Sequence, residues 1–539
     1  MGNTKRTFLV TLLISSVSFG LSSQESDWSI ETVIEPAPFQ GIHGITFDQE
    51  NRLLVGSVVG SKTYLVNAET GETSIYIAPP LGMADDMDQY KDGLYVWTAY
   101  LDGKVYGKYP DGEIITLAED LIGINSIAFK DDGRLFATQV FLGDALYELD
   151  PKGKKPPRLI MENMGGLNGF DFGKDGFLYG PLWFKGQVVK IDVDKASIEV
   201  ISSDFQVPAA VNFNSKEELF VVDTRAGEVI KLDQNTGSKL VISKVNPAID
   251  NLAFDKDDRL YITNMSDNSV LEILNDGSTR TVTTSHLSTA ADIAIAVIEG
   301  RETLVIADTF GVVNVDIKTA LPVKFARVWS DPIAYPLHVS AAHGKLLFTS
   351  WSEQAATTYD IESETYGETH KNIGAAYGGR VLKDGSVLLI DHLTGKLTKY
   401  SENFEKKEII FDDLGNPGGM VFVNDNFLYI TDYTSGKVLA LDILKGTKQI
   451  IKENLLNPEG LAILLNGDLV IAEVGKKRII TVNIKTKKLE VLASNLPIGE
   501  KGPAAFPPIG LPTGIAVSSD QDIYFTSDIN TALYKLSKN

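Results

Sequence analysis

Five polar side chains recur at one register of a repeating sequence, and their types suit a hard cation held beside a proton acceptor. They are His43, Asp85, Asn125, Asn168 and Asp250, with Ala209 in the remaining place of the series. Carboxylate and amide oxygens suit an ion such as Ca²⁺, which takes about six to eight oxygens at roughly 2.3–2.6 Å. Asp85, Asn125, Asn168 and Asp250 are therefore the expected metal donors. Imidazole ligates such an ion poorly but titrates near neutral pH, so His43 reads as a catalytic base, with Asp250 as a second proton-transfer group. The turn before Asp85 is short, which leaves Asp86 as the alternative at that place. A second series at the same register runs Asp292, His338, Gly378, Gly418, Glu459 and Thr513. His338 and Glu459, with His392 and Glu473 after the next strands of their repeats, are candidates for acid–base work. Asn and Asp at strand-opening turns also bind local backbone amides, so residue type alone does not separate a ligand from a turn.

The register comes from a phrase repeated twelve times after residue 40, each copy roughly forty residues long. One copy runs Gly123-Ile-Asn-Ser-Ile-Ala-Phe129, then Arg134-Leu-Phe-Ala-Thr138, then Ala145-Leu-Tyr-Glu-Leu-Asp150. A fixed period with four short strands predicts radially repeated sheets, the blades of a β-propeller, which brings one residue per blade to a central channel. Helix-period patterns are scarce, so the chain is expected to be all-β. Strand counting predicts two tandem six-bladed propellers, 27–275 and 276–539, each closed by strand exchange. Trp28–Ile34 would complete blade six and Thr279–Thr283 blade twelve, leaving no edge unpaired. The alternative inserts one ring in the other, with the N-terminal strand closing blade twelve. Trp97, Tyr100, Phe141, Trp183 and Phe184 follow strands of the first ring, where they are expected to form an apolar substrate pocket over the channel. Inter-blade packing is the competing use of such aromatics.

The first residues read as a leader. Lys5 and Arg6 precede an apolar run from Phe8 to Leu21 and small residues near Gly20, the layout of a signal peptide over 1–23. The run is short for a bilayer span, so no membrane insertion is expected. The chain has no cysteine, which removes disulfides, thiolate nucleophiles and thiolate metal sites. A secreted or periplasmic location is expected, with a core large enough to do without disulfide staples. The net charge of −21 repels phosphate backbones and excludes a nucleic-acid role, while it suits a divalent cation. No Gly-x-Ser-x-Gly elbow, phosphate loop or dinucleotide fingerprint is present. Nothing in the sequence indicates an oligomeric state.

At Asn125, and at Asn168 within Leu167-Asn-Gly-Phe-Asp-Phe172, the chain resembles the senescence marker protein/gluconolactonase/luciferin-regenerating-enzyme-like family of six-bladed propellers. That resemblance implies one divalent cation, usually Ca²⁺, held by a blade-one Glu, Asn from blades three and four, and a blade-five Asp that assists hydrolysis. Asn125 and Asn168 match; His43 stands where Glu is expected and Ala209 where Asp is expected. Together with the leader, it implies an exported, metal-dependent hydrolase acting on a lactone or related ester, a small-molecule substrate, in the first ring. His338 and Glu459 weakly resemble the streptogramin-lyase pattern, which implies C–O elimination as an alternative. A non-catalytic binding scaffold is the third expectation.

Overall fold

The computed structural model describes residues 27–503 and 506–539. The leader expected at 1–23 lies outside them. The described chain folds into twelve four-stranded antiparallel sheets, and its one helical segment is the 3-10 turn Val474–Lys476. Each sheet follows the sequence phrase: Ile124–Phe129 pairs with Leu135–Gln139, that strand with Ala145–Leu149, and the last with Arg158–Glu162. Second strands such as Leu53–Ser57, Tyr95–Ala99 and Leu219–Asp223 are buried throughout, because neighbouring sheets cover both faces. Fourth strands such as Ser197–Ser202 lie at the rim and are largely exposed.

The innermost strands touch one another in two closed cycles. The first passes through Ile45–Phe47, Ala84–Gln89, Ile124–Phe129, Asp171–Phe172, Pro208–Phe213 and Ile249–Phe254, then returns to its start. The second passes through Ile293–Ile298, His338–Ala342, Ala376–Val381, Pro417–Asn424, Pro458–Ile463 and Ile515–Val517 and also returns. The architecture is propeller-like; the sheets are hereafter blades one to twelve and the cycles the first and second rings.

The strand exchange differs from the tandem expectation. Thr279–Thr283 pairs with Ser269–Ile273 and completes blade six locally, so the expected boundary at 275/276 falls inside that blade. Trp28–Ile34 pairs with Ala532–Lys538 and completes blade twelve. The first ring is therefore inserted between the N-terminal strand and the rest of the second. The reason is proximity: Asn275–Ser278 closes a tight hairpin, with Leu274 N–H on Ser278 O at 2.8 Å and Gly277 N–H on Leu274 O at 2.9 Å. A short loop costs far less closure entropy than a pairing across some 240 residues.

Much of the acidity is structural. The Asp or Asn ending a third strand accepts amides two or three residues on: Asn67 from Glu69 at 2.9 Å, Asp192 from Asp194 at 3.1 Å, Asp233 from Asn235 and Thr236 at 2.9 Å, and Asp442 from Lys445 at 3.1 Å. These are Asx turns, the local use of such residues.

Candidate functional site

A bulge places the axial side chains. In blades two, three and six the pairing of first and second strands skips between Ala84 and Met87, Ile124 and Ile127, and Ile249 and Leu252. Of the two unpaired residues, the first turns inward and the second sideways. Asp85, Asn125 and Asp250 are the first; Asp86, Ser126 and Asn251 are the second. Asp86 spends its carboxylate on the backbone, accepting Met87 N–H at 2.8 Å and, from the next blade, Ile127 N–H at 3.1 Å. Gln89 pairs with Tyr95 as Phe129 does with Leu135, so Asp85 is the counterpart of Asn125. Blades nine, ten and eleven carry the same bulge. In blade nine Val381 pairs with Val387, which makes Tyr377, one residue before the expected Gly378, the aligned position.

The inner strands approach closely, and the residue after the axial one must allow it. A Cβ on Gly44 would stand 2.3 Å from Asp85 O, and one on Gly460 2.3 Å from Thr513 O. A threonine in the second strand then clasps the next blade: Thr98 Oγ1 donates to Asn125 O at 2.5 Å and Thr431 Oγ1 to Glu459 O at 2.9 Å. The same clasp closes both rings, through Thr263 Oγ1 on His43 O at 2.6 Å and Thr526 Oγ1 on Ala291 O at 2.5 Å.

In the first ring the structure brings Asp85, Asn125, Asn168 and Asp250 to one place. The Asn125 side chain lies near enough to Asp85 to pull its carboxyl down against burial. Ser126 Oγ lies 2.8 Å from Asn125 Oδ1 and 3.2 Å from Asn168 Oδ1, sharing its one proton between them. Burial and then the Asp250 charge push the Asp85 carboxyl well above the usual carboxylate range, and burial raises Asp250 as well. Both lie deep yet keep some accessible surface, so neither is sealed in packed core. His43 is equally deep. Burial lowers its imidazole to about 4, against a smaller upward pull from Gly41 O, 3.3 Å from Nδ1, so the ring is neutral at physiological pH.

A row of aromatic side chains runs from the first-ring axis into the second ring, which supplies three of its five members. Phe141 stands edge-on to Trp183 at 5.2 Å between centroids, Trp183 to Trp329 at 5.3 Å and Trp329 to Tyr335 at 5.8 Å. Tyr335 meets Phe310 at 5.8 Å, and Phe310 reaches the axis against His43 at 5.5 Å. Phe141, Trp329 and Tyr335 hold φ of +68°, +80° and +41°, a region bulky side chains seldom occupy and one that concentrates at functional sites. Tyr335 lies within electrostatic reach of Asp250 and Tyr100, and Tyr100 of Asp85. Phe184 packs on Phe141 at 5.7 Å but is 61% exposed. Trp97 departs from expectation: it is fully buried, stacks on Tyr95 and donates Nε1–H to Leu81 O at 2.7 Å, so it belongs to the core of blade two and not to a pocket. Phe310, Trp329 and Tyr335 were not among the expected residues, since they come from the other ring.

In the second ring a cavity of about 220 Å³ lies on the axis, lined by Asp292, His338, Tyr377, Gly378, Gly418, Glu459 and Thr513 among others. Asp292 accepts Ile293 N–H on Oδ1 at 2.9 Å, and its Oδ2 stands 3.5 Å from His338 Nδ1. Glu459 Oε2 accepts Thr513 N–H at 2.7 Å; burial and Asp528 push its carboxyl well above the usual range. Tyr377 lies between two imidazoles, 4.8 Å from His338 and 4.3 Å from His392, and donates its hydroxyl to Ile509 O. His392 is fully buried, with Nδ1 2.8 Å from Pro417 O and Nε2 unpartnered; it does not line the cavity. Glu473 is also apart: it accepts Leu456 N–H at 2.9 Å and pairs with Lys476 and Arg478, a clamp on the loop before its blade.

Among the described residues no group of three or more His, Cys, Asp or Glu side chains is placed to hold a metal ion, and none of their helices is long and apolar enough to cross a membrane. No family model and no curated protein sequence matches the chain. Solved structures with which it aligns include the extracellular domain of a protein assigned as a one-component system in B. thetaiotaomicron, at 10% identity over 92% of this chain and 70% of that one, with a TM-score of 0.32. Another is a gluconolactonase from Xanthomonas campestris, at 16% identity over 44% of this chain and 86% of that one, with a TM-score of 0.37.

Proposed function

We propose that this protein hydrolyses a lactone or related small ester in the axial channel of its first ring, and that 1–23 directs its export. One observation carries the reading: the Asp250 charge raises Asp85 at the first-ring axis, and no basic side chain is among the groups that set either carboxyl's charge. Two such carboxyls favour opposite protonation states, so one serves as acid while the other serves as base. The base form takes a proton from the attacking water, and the acid form gives one to the leaving oxygen. His43, neutral and with Nδ1 facing a carbonyl, keeps a free nitrogen for the same water.

The donor chemistry also fits a hard divalent cation such as Ca²⁺. Asp85 and Asp250 would bind it, with Asn125 and Asn168 turning their amide oxygens from Ser126. Once bound, it would polarise the substrate carbonyl. The aromatic span would exclude water around the ester.

The test is turnover of a lactone panel with and without chelator, by the full chain and by Asp85→Asn and Asp250→Asn. Each substitution is expected to lower kcat/KM by about 100-fold or more, and chelator to lower wild-type turnover. Turnover that both substitutions leave intact would sink the proposal, and turnover indifferent to chelator would remove the cation from it. A chain that turns over nothing in the panel, yet retains a binding partner after both changes, would be a scaffold.

A further inference from the structure

We infer that the second ring carries its own acid–base site, in which His338 accepts a proton and Glu459 donates one to a small uncharged ester held in the axial cavity. This does not depend on the chemistry assigned to the first ring. The cavity is floored by glycines: a Cβ on Gly378 would meet nothing nearer than Met420 Cε at 3.5 Å. About 220 Å³ there is room for a small organic molecule with a water.

His338 is only 3% exposed, and its Nε2 has no protein partner. A buried polar nitrogen without a partner is costly in a purely structural role. Its Nδ1 faces Asp292, whose carboxylate is itself held by Ile293 N–H and lies 3.4 Å from Val339 N. A carboxylate on that side of the ring favours the tautomer with the proton on Nδ1 and the lone pair on Nε2. Glu459 lines the same cavity; one carboxyl oxygen accepts Thr513 N–H at 2.7 Å, the Thr513 hydroxyl lies against the same carboxyl, and burial with the Asp528 charge favours its protonated form. The His338 imidazole and a buried carboxylic acid therefore border one small space, whose basic lining residue, Arg380, is paired with Asp425 at 3.0 Å.

The step balances without a further reactant. Water oxygen bonds to the ester carbon while its proton passes to His338 Nε2. The carbon–alkoxy bond breaks, and the leaving oxygen takes the Glu459 proton. The imidazolium proton returns to Glu459 through solvent, and the products are one acid and one alcohol. Asp292 is a positioning residue.

The experiment uses full-length Asp85→Asn/Asp250→Asn, which removes the first-ring acid pair, with p-nitrophenyl acetate and δ-valerolactone as probes in H₂¹⁸O. Residual hydrolysis of at least one probe is expected, with one ¹⁸O in the carboxylate product. Adding His338→Gln or Glu459→Gln is expected to lower it by about 100-fold; Glu459→Gln is nearly isosteric and keeps the acceptor for Thr513 N–H. Asp292→Asn should lower kcat with KM unchanged, whereas a general loosening of the blade would raise KM too. No hydrolysis in the double variant, hydrolysis surviving both His338→Gln and Glu459→Gln, or an unlabelled unsaturated product would each overturn the inference. Loss of first-ring turnover with second-ring turnover retained would separate this site from the proposed function.

Discussion

The axial residues pull the stability of this protein in opposite directions with pH. His43 has a folded-state value near 4 against about 6.5 in an unfolded chain, because burial disfavours the imidazolium. Its contribution is present above about 6.5 and is lost as pH falls toward 4, where the unfolded chain gains a proton that the folded chain refuses. The shift amounts to on the order of 3 kcal/mol. His43→Asn should therefore flatten the fall in Tm between pH 6.5 and 4. A wild-type and variant pair with parallel Tm curves over that range would show the ring to be solvated. Asp250 has the other sign. Its raised value makes it stabilising at low pH, and that contribution drains away as pH rises through the folded value. Asp250→Asn should raise Tm at pH 8, raise it less at pH 5 and change it little only below the unfolded value of about 3.8, measured calorimetrically. A substitution that abolishes turnover while stabilising the fold is expected of a functional residue and foreign to a packing one.

Between residue and ring stand the bulge and the clasp. A bulge frees two residues at the axis, and a second-strand threonine binds the next inner strand. The sequence shows the threonines and the small residues beside the axial positions, but it does not show a bulge, since an extra residue leaves no mark on composition. That is why Tyr377 was passed over for Gly378: Leu382 resembles the apolar anchor of the other repeats, but Val381 is the residue that pairs. Asp85, Asn125 and Asp250 were legible because a polar residue among apolar ones at a constant offset needs no knowledge of backbone geometry. Trp97 was misplaced for a related reason. Expected after a strand, it lies within one, Tyr95–Ala99, and sequence gives no sign that neighbouring sheets cover it. The clasp invites a direct test at Thr263, which is fully buried and joins blade six to blade one. Thr263→Val keeps the volume but leaves His43 O without its donor. A loss of about 1–3 kcal/mol is expected, as a lower urea midpoint with an unchanged slope. A loss below 0.5 kcal/mol, as at an ordinary surface site, would mean that strand packing alone closes the ring.

At the scale of the molecule, the ring count was readable from the period, while the closure was not. Both arrangements pair every strand and leave no free edge; they differ in which of two similar strands reaches which rim. Local hairpin closure decides between them, and it makes the first ring a self-contained insert. Its ends leave the second ring at 35–44 and return at 284–292, a junction packed around buried Asn268, whose Nδ2 lies 3.1 Å from Phe39 O and from Leu287 O. This junction also explains why Phe310, Trp329 and Tyr335 could not be anticipated over the first-ring channel: no periodicity within one ring encodes contact with the other. The first ring closes without a shared backbone ladder among the described residues, by contacts that include the Thr263 clasp, the Arg259–Glu69 pair at 2.6 Å and Arg280 Nη2 on Ala68 O at 2.8 Å. The second ring closes through the backbone ladder of Trp28–Ile34 on Ala532–Lys538. Removing residues through Ile34 should thus strip the rim of blade twelve and leave blade six whole. In hydrogen exchange, amides of Ala532–Lys538 that point to the lost strand should lose protection, with Ile523–Ser527 following as the blade frays, while Ser269–Ile273 and Thr279–Thr283 stay protected. Tandem closure would give the reverse pattern, with deprotection in Ser269–Ile273, so the truncation reads the topology directly from solution.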